Sequence, residues 1–159
     1  MSNIAPQRTR HPLTVRRSFT IVASQYNPEY VQGLVASVRR ELEIISPRST
    51  ISVIEVPGAF EIPVVLQEVA ARGEVDAIIA LGVIIKGETA HADLIGRAIT
   101  DSFQNIALRF RIPVIHEVLL VENEEQARER TLGEAHNRGV EAARAAMQVV
   151  EVMNEIKVD

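Results

Sequence analysis

The sequence predicts an α/β fold on a parallel sheet, and three observations carry that prediction. Short β-branched runs alternate along the chain with longer stretches of helical period. The third run, residues 75–85, is apolar at nearly every position, as a strand buried on both faces requires. The connections are short, which suits right-handed crossovers that cover both faces of one sheet.

The elements follow in order. Residues 18–23 (SFTIVA) form the first strand, and a helix-like stretch runs from Asn27 to about Ile45. Asn27 suits an N-cap, Pro28 the first helical turn and Glu29 the positive end of the helix dipole; Pro47 closes the segment. Ile51, Val53, Ile54 and Val56 mark the second strand, and residues 60–71 the second helix. After the third strand come a helix over residues 91–109, a fourth strand over 112–120, a short helix over 124–130 and a final helix from 139 to about 154. There is no internal repeat.

Composition narrows the class. With 159 residues, 47% of them hydrophobic and 24% charged, residues 18–159 are expected to make a single domain. Residues 1–17 hold four arginines and two prolines without apolar periodicity, and read as an arm, mobile or dependent on a partner. They also lack the apolar core of a secretory signal. No cysteine is present, so disulfides, thiolate zinc sites and a cysteine nucleophile are excluded, and the cytoplasm is the expected compartment. Twenty-one acidic against seventeen basic residues give a net charge of −4, the wrong sign for a nucleic-acid binder. No apolar run approaches the roughly 20 residues of a membrane span. Small molecules and protein partners fit this chain better.

In a parallel α/β sheet ligands gather at the carboxyl ends of the strands, which directs attention to the segments leaving them. Residues 82–89 (GVIIKGET) pass from strand to helix with glycines spaced as in a phosphate loop, but Glu88 stands where a nucleotide-triphosphate loop needs lysine. What remains is a simpler device, in which Gly87 admits close approach and the amides of Glu88 and Thr89 take one phosphate, against the alternative of ordinary capping by Thr89. His91 is placed to exchange protons near neutral pH, although a single histidine is more often structural. Tyr26 offers an aromatic face, and Phe60 and Glu61 stand at a helix start. Arg128, Arg130 and Arg138 crowd the region after the fourth strand, where an arginine fork suits phosphate and a solvated face with local ion pairs is the competing reading. The four histidines are scattered, so no metal site is expected.

Taken together and in register, residues 23–27 (ASQYN), 56–63 (VPGAFEIP), 82–93 (GVIIKGETAHAD), 126–130 (QARER) and 137–142 (NRGVEA) resemble the lumazine synthases of riboflavin biosynthesis, over about residues 19–153. The resemblance implies a flavodoxin-like three-layer αβα sandwich with a central four-stranded parallel sheet, the arm being available to add a strand to a neighbouring subunit. It implies condensation of 5-amino-6-ribitylamino-uracil with 3,4-dihydroxy-2-butanone 4-phosphate to 6,7-dimethyl-8-ribityllumazine and phosphate, with no metal or organic cofactor. By position, Tyr26 is similar to the ring that stacks on the pyrimidine, with Asn27 assisting. Ala59, Phe60 and Glu61 correspond to the segment binding the uracil side and ribityl hydroxyls, and Ile84 and Ile85 to residues meeting the pyrimidine edge. Gly87, Glu88 and Thr89 correspond to the phosphate loop, His91 to the proton-transferring histidine and Arg130 to the phosphate-binding arginine.

The resemblance further implies a homo-oligomer, a pentamer open to icosahedral assembly, with sites between adjacent subunits. Three positions depart from the pattern. His116 stands where phenylalanine is common, facing the neighbour's site, Arg138 where lysine is usual and Glu134 where a basic residue often occurs; the resemblance counts His116 and Arg138 with the substrate-binding residues. His116 and Glu134 motivate an alternative, a non-catalytic or weakly active shell paralogue that binds flavin or lumazine. A second alternative, the archaeal-type riboflavin synthase, has no phosphate-bearing substrate and so no use for the loop at Gly87.

Overall fold

The computed structural model describes residues 6–8 and 15–158. Four strands, β1 (Ser18–Ser24), β2 (Thr50–Val56), β3 (Ala77–Ile85) and β4 (Val114–Val121), pair in parallel in the order β2-β1-β3-β4. Five helices cover them: α1 (Pro28–Ile45), α2 (Ile62–Arg72), α3 (His91–Phe110), α4 (Glu124–Leu132) and α5 (Arg138–Val158). A 3-10 turn, Ala59–Glu61, leads into α2. This is the flavodoxin-like α/β arrangement, helices on both faces of a four-stranded parallel sheet.

Strand alternation sorts the core into two layers. Phe19 and Ile21 of β1, Ile79 and Leu81 of β3 and Leu119 of β4 share one face, where they pack with Leu34 and Val38 of α1 and Ala143 and Met147 of α5. Val22, Ile78, Ala80 and Val118 face the opposite way, against Leu66 of α2 and Ile99 and Phe103 of α3. β3 is buried along most of its length because it is paired on both sides and covered on both faces.

The observed elements correct several sequence boundaries. β3 begins at Ala77 rather than at residue 75, α4 runs on to Leu132 and α5 to Val158. Asn27 occupies the N-cap position of α1 without capping it by its side chain. Its backbone is left-handed (φ 54°), and its Nδ2 donates instead to the Val83 carbonyl at 2.8 Å, tying the β1–α1 connection to β3. Thr89 does not cap α3 either: the helix begins at His91, with Ala90 before it. Two other asparagines do cap. Asn123 Oδ1 accepts from the Gln126 amide at the start of α4, and buried Asn137 Oδ1 accepts from the amides of Gly139 and Val140 at the start of α5. Gly139 is required there, since a Cβ would come within 2.8 Å of the Leu34 carbonyl oxygen of α1.

Of the amino-terminal arm, residues 1–5 and 9–14, and with them Arg10 and Pro12, lie outside the described residues. Residues 6–8 lie against the chain's own helices. Arg8 forms a two-pronged contact with Glu41 of α1 (2.9 and 2.7 Å), Arg144 of α5 meets the same carboxylate at 2.8 Å, and the Pro6 carbonyl accepts from Arg144. Glu41 is 4% exposed. Its carboxyl is held below the usual value of 4.5 by the Arg8 hydrogen bonds first and by Arg144 in addition, with burial opposing. A lowered folded-state value means stability present above 4.5 and lost as pH falls through the lowered value. Glu41→Gln is therefore expected to cost about 1–3 kcal/mol at neutral pH. Thermal unfolding at fixed protein concentration should show the gap from the parent closing as pH drops below 4.5.

Candidate active site

The chain crosses from β2 over β1 to form β3, so the strand order reverses between β1 and β3, and the crevice at their carboxyl ends is where an α/β sheet binds ligands. A cavity of about 860 Å³ occupies that position. β1 and its connection contribute Ser24, Tyr26 and Asn27. The segment after β2 contributes Gly58, Ala59, Phe60 and Glu61, and the end of β3 contributes Val83, Ile84 and Ile85. α3 adds His91, Leu94, Ile95 and Ala98, positions spaced to lie on one helical face.

The geometry of the walls follows from local constraints. The Gln25 amide donates to the Val56 carbonyl at 2.9 Å, joining the β1 and β2 exits. Tyr26 and Phe60 are 70% and 62% exposed, so two aromatic rings stand in solvent at the rim, a costly placement unless something planar or apolar covers them. Gly58 makes room for the Tyr26 ring and the Glu61 carboxylate: a Cβ there would come within 3.1 Å of the Tyr26 ring and 2.7 Å of Glu61 Oε2. The cavity therefore presents an aromatic face, a carboxylate, an imidazole and strand-end backbone, but neither lysine nor arginine among its lining residues.

Eight of the residues singled out from sequence meet here: Tyr26, Asn27, Ala59, Phe60, Glu61, Ile84, Ile85 and His91. Gly87, Glu88 and Thr89 do not line the cavity. They form the exposed connection between two residues that do, Ile85 and His91. Lys86 holds this connection to the neighbouring elements, donating to Glu122 at 2.7 Å and lying 3.7 Å from Asp93. A Cβ at Gly87 would meet no atom within 4 Å and its φ is not positive, so the fold makes no demand for glycine there. Ser24 and Val83 lie within the segments 23–27 and 82–93 that the sequence brings forward, whereas Leu94, Ile95 and Ala98 lie outside every such segment. The helical spacing of 91, 94, 95 and 98 was the available signal for the last three.

His116, Arg130 and Arg138 lie elsewhere. They line a second, open cavity of about 640 Å³ along β4, α4 and the start of α5, together with Glu117, Glu129, His136 and Glu141. Arg130 makes no ion pair among the described residues, whereas Arg138 is engaged by Glu117 and Glu141 and Arg128 by Glu29. His116 Nδ1 accepts from the Val118 amide at 3.2 Å, its Nε2 lies 2.8 Å from Thr100 Oγ1, and that hydroxyl donates to the Gly96 carbonyl. This pattern calls for the neutral ring carrying its proton on Nε2. Burial pushes the His116 value below the usual 6.5, in the same sense, and Phe103 packs edge-on against it. No group of three His, Asp or Glu residues that could hold a metal ion occurs among the described residues. No helix among them is long and apolar enough to cross a membrane.

Residues 16–154 match the model of a family described as 6,7-dimethyl-8-ribityllumazine synthase. Curated relatives carry the same name. One from Leuconostoc mesenteroides is 33% identical over 142 residues, 89% of this chain and 91% of its own. Those from Xanthomonas euvesicatoria and Xanthomonas axonopodis are each 38% identical over 143 residues, 89% of this chain and 92% of their own.

The glycine environments give a direct test of which positions serve the fold. Gly82→Ala would press a Cβ to 2.9 Å from Ser24 Oγ and 3.1 Å from Val118 within the sheet, and is expected to cost about 1–3 kcal/mol. Gly87→Ala should change stability by less than about 0.5 kcal/mol. Paired thermal melts of the two variants check the contrast.

Proposed function

The chain belongs to the 6,7-dimethyl-8-ribityllumazine synthase family, and from that premise we propose that it condenses 5-amino-6-ribitylamino-uracil with 3,4-dihydroxy-2-butanone 4-phosphate. The products are 6,7-dimethyl-8-ribityllumazine and phosphate, in a site completed by a neighbouring copy. The observation that carries this reading is the division of the chemistry between two surfaces. The switch-point cavity has an aromatic face and an imidazole but no arginine, while Arg130, without an ion-pair partner among the described residues, lies on the β4 side. Among the described residues β4 pairs only with β3, which leaves its outer edge for another subunit.

Tyr26 stacks on the pyrimidine and Phe60 closes the rim. Glu61 accepts from ribityl hydroxyls, and the backbone of Ile84 and Ile85 meets the polar edge of the ring, with Asn27 fixed to Val83 beside it. The amine of the uracil attacks the ketone of the second substrate, and loss of water leaves an imine. Departure of phosphate then requires a proton shuttle and a stabilised anion. His91, first residue of α3, moves the proton. The amides at Gly87–Thr89 and the start of α3 take the phosphate together with Arg130 of the neighbouring copy. Holding two substrates in register supplies most of the acceleration, so the imidazole is helpful rather than indispensable.

A pentameric ring suits such head-to-tail sharing, since each copy gives its cavity to one neighbour and its β4 edge to the other, and rings can pack further into an icosahedral shell. The reaction needs no metal or organic cofactor, and the compartment proposed is the cytoplasm. We retain residues 18–159 as the catalytic domain and residues 1–17 as its arm.

Lumazine absorbance and released phosphate, followed above the spontaneous rate, test the reaction. Saturable formation of both supports it, and no acceleration by an intact oligomer refutes it. His91→Asn should lower kcat by about 10- to 100-fold with a smaller change in KM. Arg130→Ala should raise KM for the phosphorylated substrate by at least about tenfold, the loss of a charge-assisted contact. Equal effects of both substitutions on both parameters would contradict the assigned roles.

A further inference from the structure

Glu117 is the one acidic side chain on β4's inward face, sharing its parity with Leu119 and Val121, which pack into the core under α1 and α5. It is 7% exposed. A carboxylate in such a position requires partners, and among the described residues it has one cation: Arg138 Nε lies 3.2 Å from Oε2 and Nη2 3.3 Å from Oε1. The third nitrogen of the same guanidinium donates to Glu141. Arg138 thus serves two carboxylates, and with both ionised the trio carries one net negative charge on the surface that also holds Arg130.

We propose that Glu117 is a positioning residue that sets the anion affinity of the Arg130 surface through Arg138. Ionised, it holds Arg138 inward and leaves the trio negative; protonated, it frees the guanidinium and leaves the trio neutral. The inference rests on the reading of this surface as the phosphate end of a neighbour's site. It adds a pH-dependent control of that end by a residue to which the reaction assigns no role.

The balance of charges places the transition near neutrality. Burial is the larger influence and raises the Glu117 carboxyl to about 7, Arg138 opposes it, and Glu141 adds to the rise. The surrounding charges come from each element packed there. Glu141 and Arg138 belong to α5, Glu129 and Arg130 to α4, His136 to the α4–α5 connection and His116 to β4 itself; the β3 partner is apolar Leu81. His116 is neutral by its hydrogen bonds. His136 shares this surface, so the test must isolate Glu117.

Sulfate is the suitable probe because it does not titrate in this range, and calorimetry on the intact oligomer reads its binding without turnover. The parent protein is expected to bind sulfate at least about threefold more tightly at pH 6 than at pH 8.5, an effect of one nearby charge. In Glu117→Gln, which keeps size and shape, that ratio should fall to less than half of the parent's. In Glu141→Gln, at a less buried position, the midpoint of the affinity profile should move to lower pH, because the charge that helps raise Glu117 is gone. An unchanged ratio in the first variant, an unmoved midpoint in the second or no sulfate binding at any pH would overturn the proposal. Steady-state kinetics on the same preparations add a split: at pH 8.5 Glu117→Gln should lower KM for the phosphorylated substrate more than it alters kcat. Absence of lumazine formation in the parent, with the sulfate profile intact, would refute the synthase reading alone. Normal lumazine formation with a Glu117-independent profile would refute the control alone.

Discussion

The parallel pairing of β1 with β3 is the constraint on which the rest depends. It brings two strand exits side by side with their connections leading to opposite sides of the sheet order, and the crevice so formed is lined by whatever those connections carry. Here they carry Tyr26, Asn27, Ile84, Ile85 and, one connection later, His91. The same topology puts β4 at the edge with α4 and α5 returning on the α1 side, so Arg130 and Arg138 face a different cavity. The polar chemistry is divided because the sheet is, and a second copy is the economical way to reunite it.

Two buried carboxylates show how the number of partners decides charge. Glu41 meets Arg8 and Arg144 at 2.7 to 2.9 Å and is held ionised. Glu117 shares a single arginine with Glu141, and burial pushes it up instead. Both are nearly inaccessible to solvent, so the contrast arises from the second cation and from the competing carboxylate rather than from depth. Glu41 accordingly anchors residues 6–8, while Glu117 lies with Arg130 and Arg138 along the second cavity.

Much of the fold was legible because period and apolarity are local properties. The double-sided run ending at Ile85 marked the central strand, and Pro28 and Pro47 bracketed α1. Capping was less legible: Asn27 and Thr89 read as caps, yet Asn27 reaches across to Val83, and α3 begins without a side-chain cap. A cap and a tertiary tie use the same amide, and only the path of β3 decides between them. The residues of the candidate site were picked out through motifs in register, but their separation into two surfaces depends on strand order, which no single segment encodes. Glu117 attracted no notice in the sequence because a glutamate in an apolar strand reads as an outward-facing residue until register shows it facing α5.

The central claim is that one copy supplies the cavity and its neighbour the arginine. Mixed oligomers test it most directly. His91→Ala and Arg130→Ala chains, each impaired alone, are dissociated, combined in equal amounts and reassembled, and lumazine formation is measured. Head-to-tail sharing predicts recovery to about a quarter of the parent's activity, the share of interfaces pairing an intact cavity with an intact edge. Activity no higher than the mean of the two separate variants would contradict the account, because it would mean that both residues serve a site within a single chain.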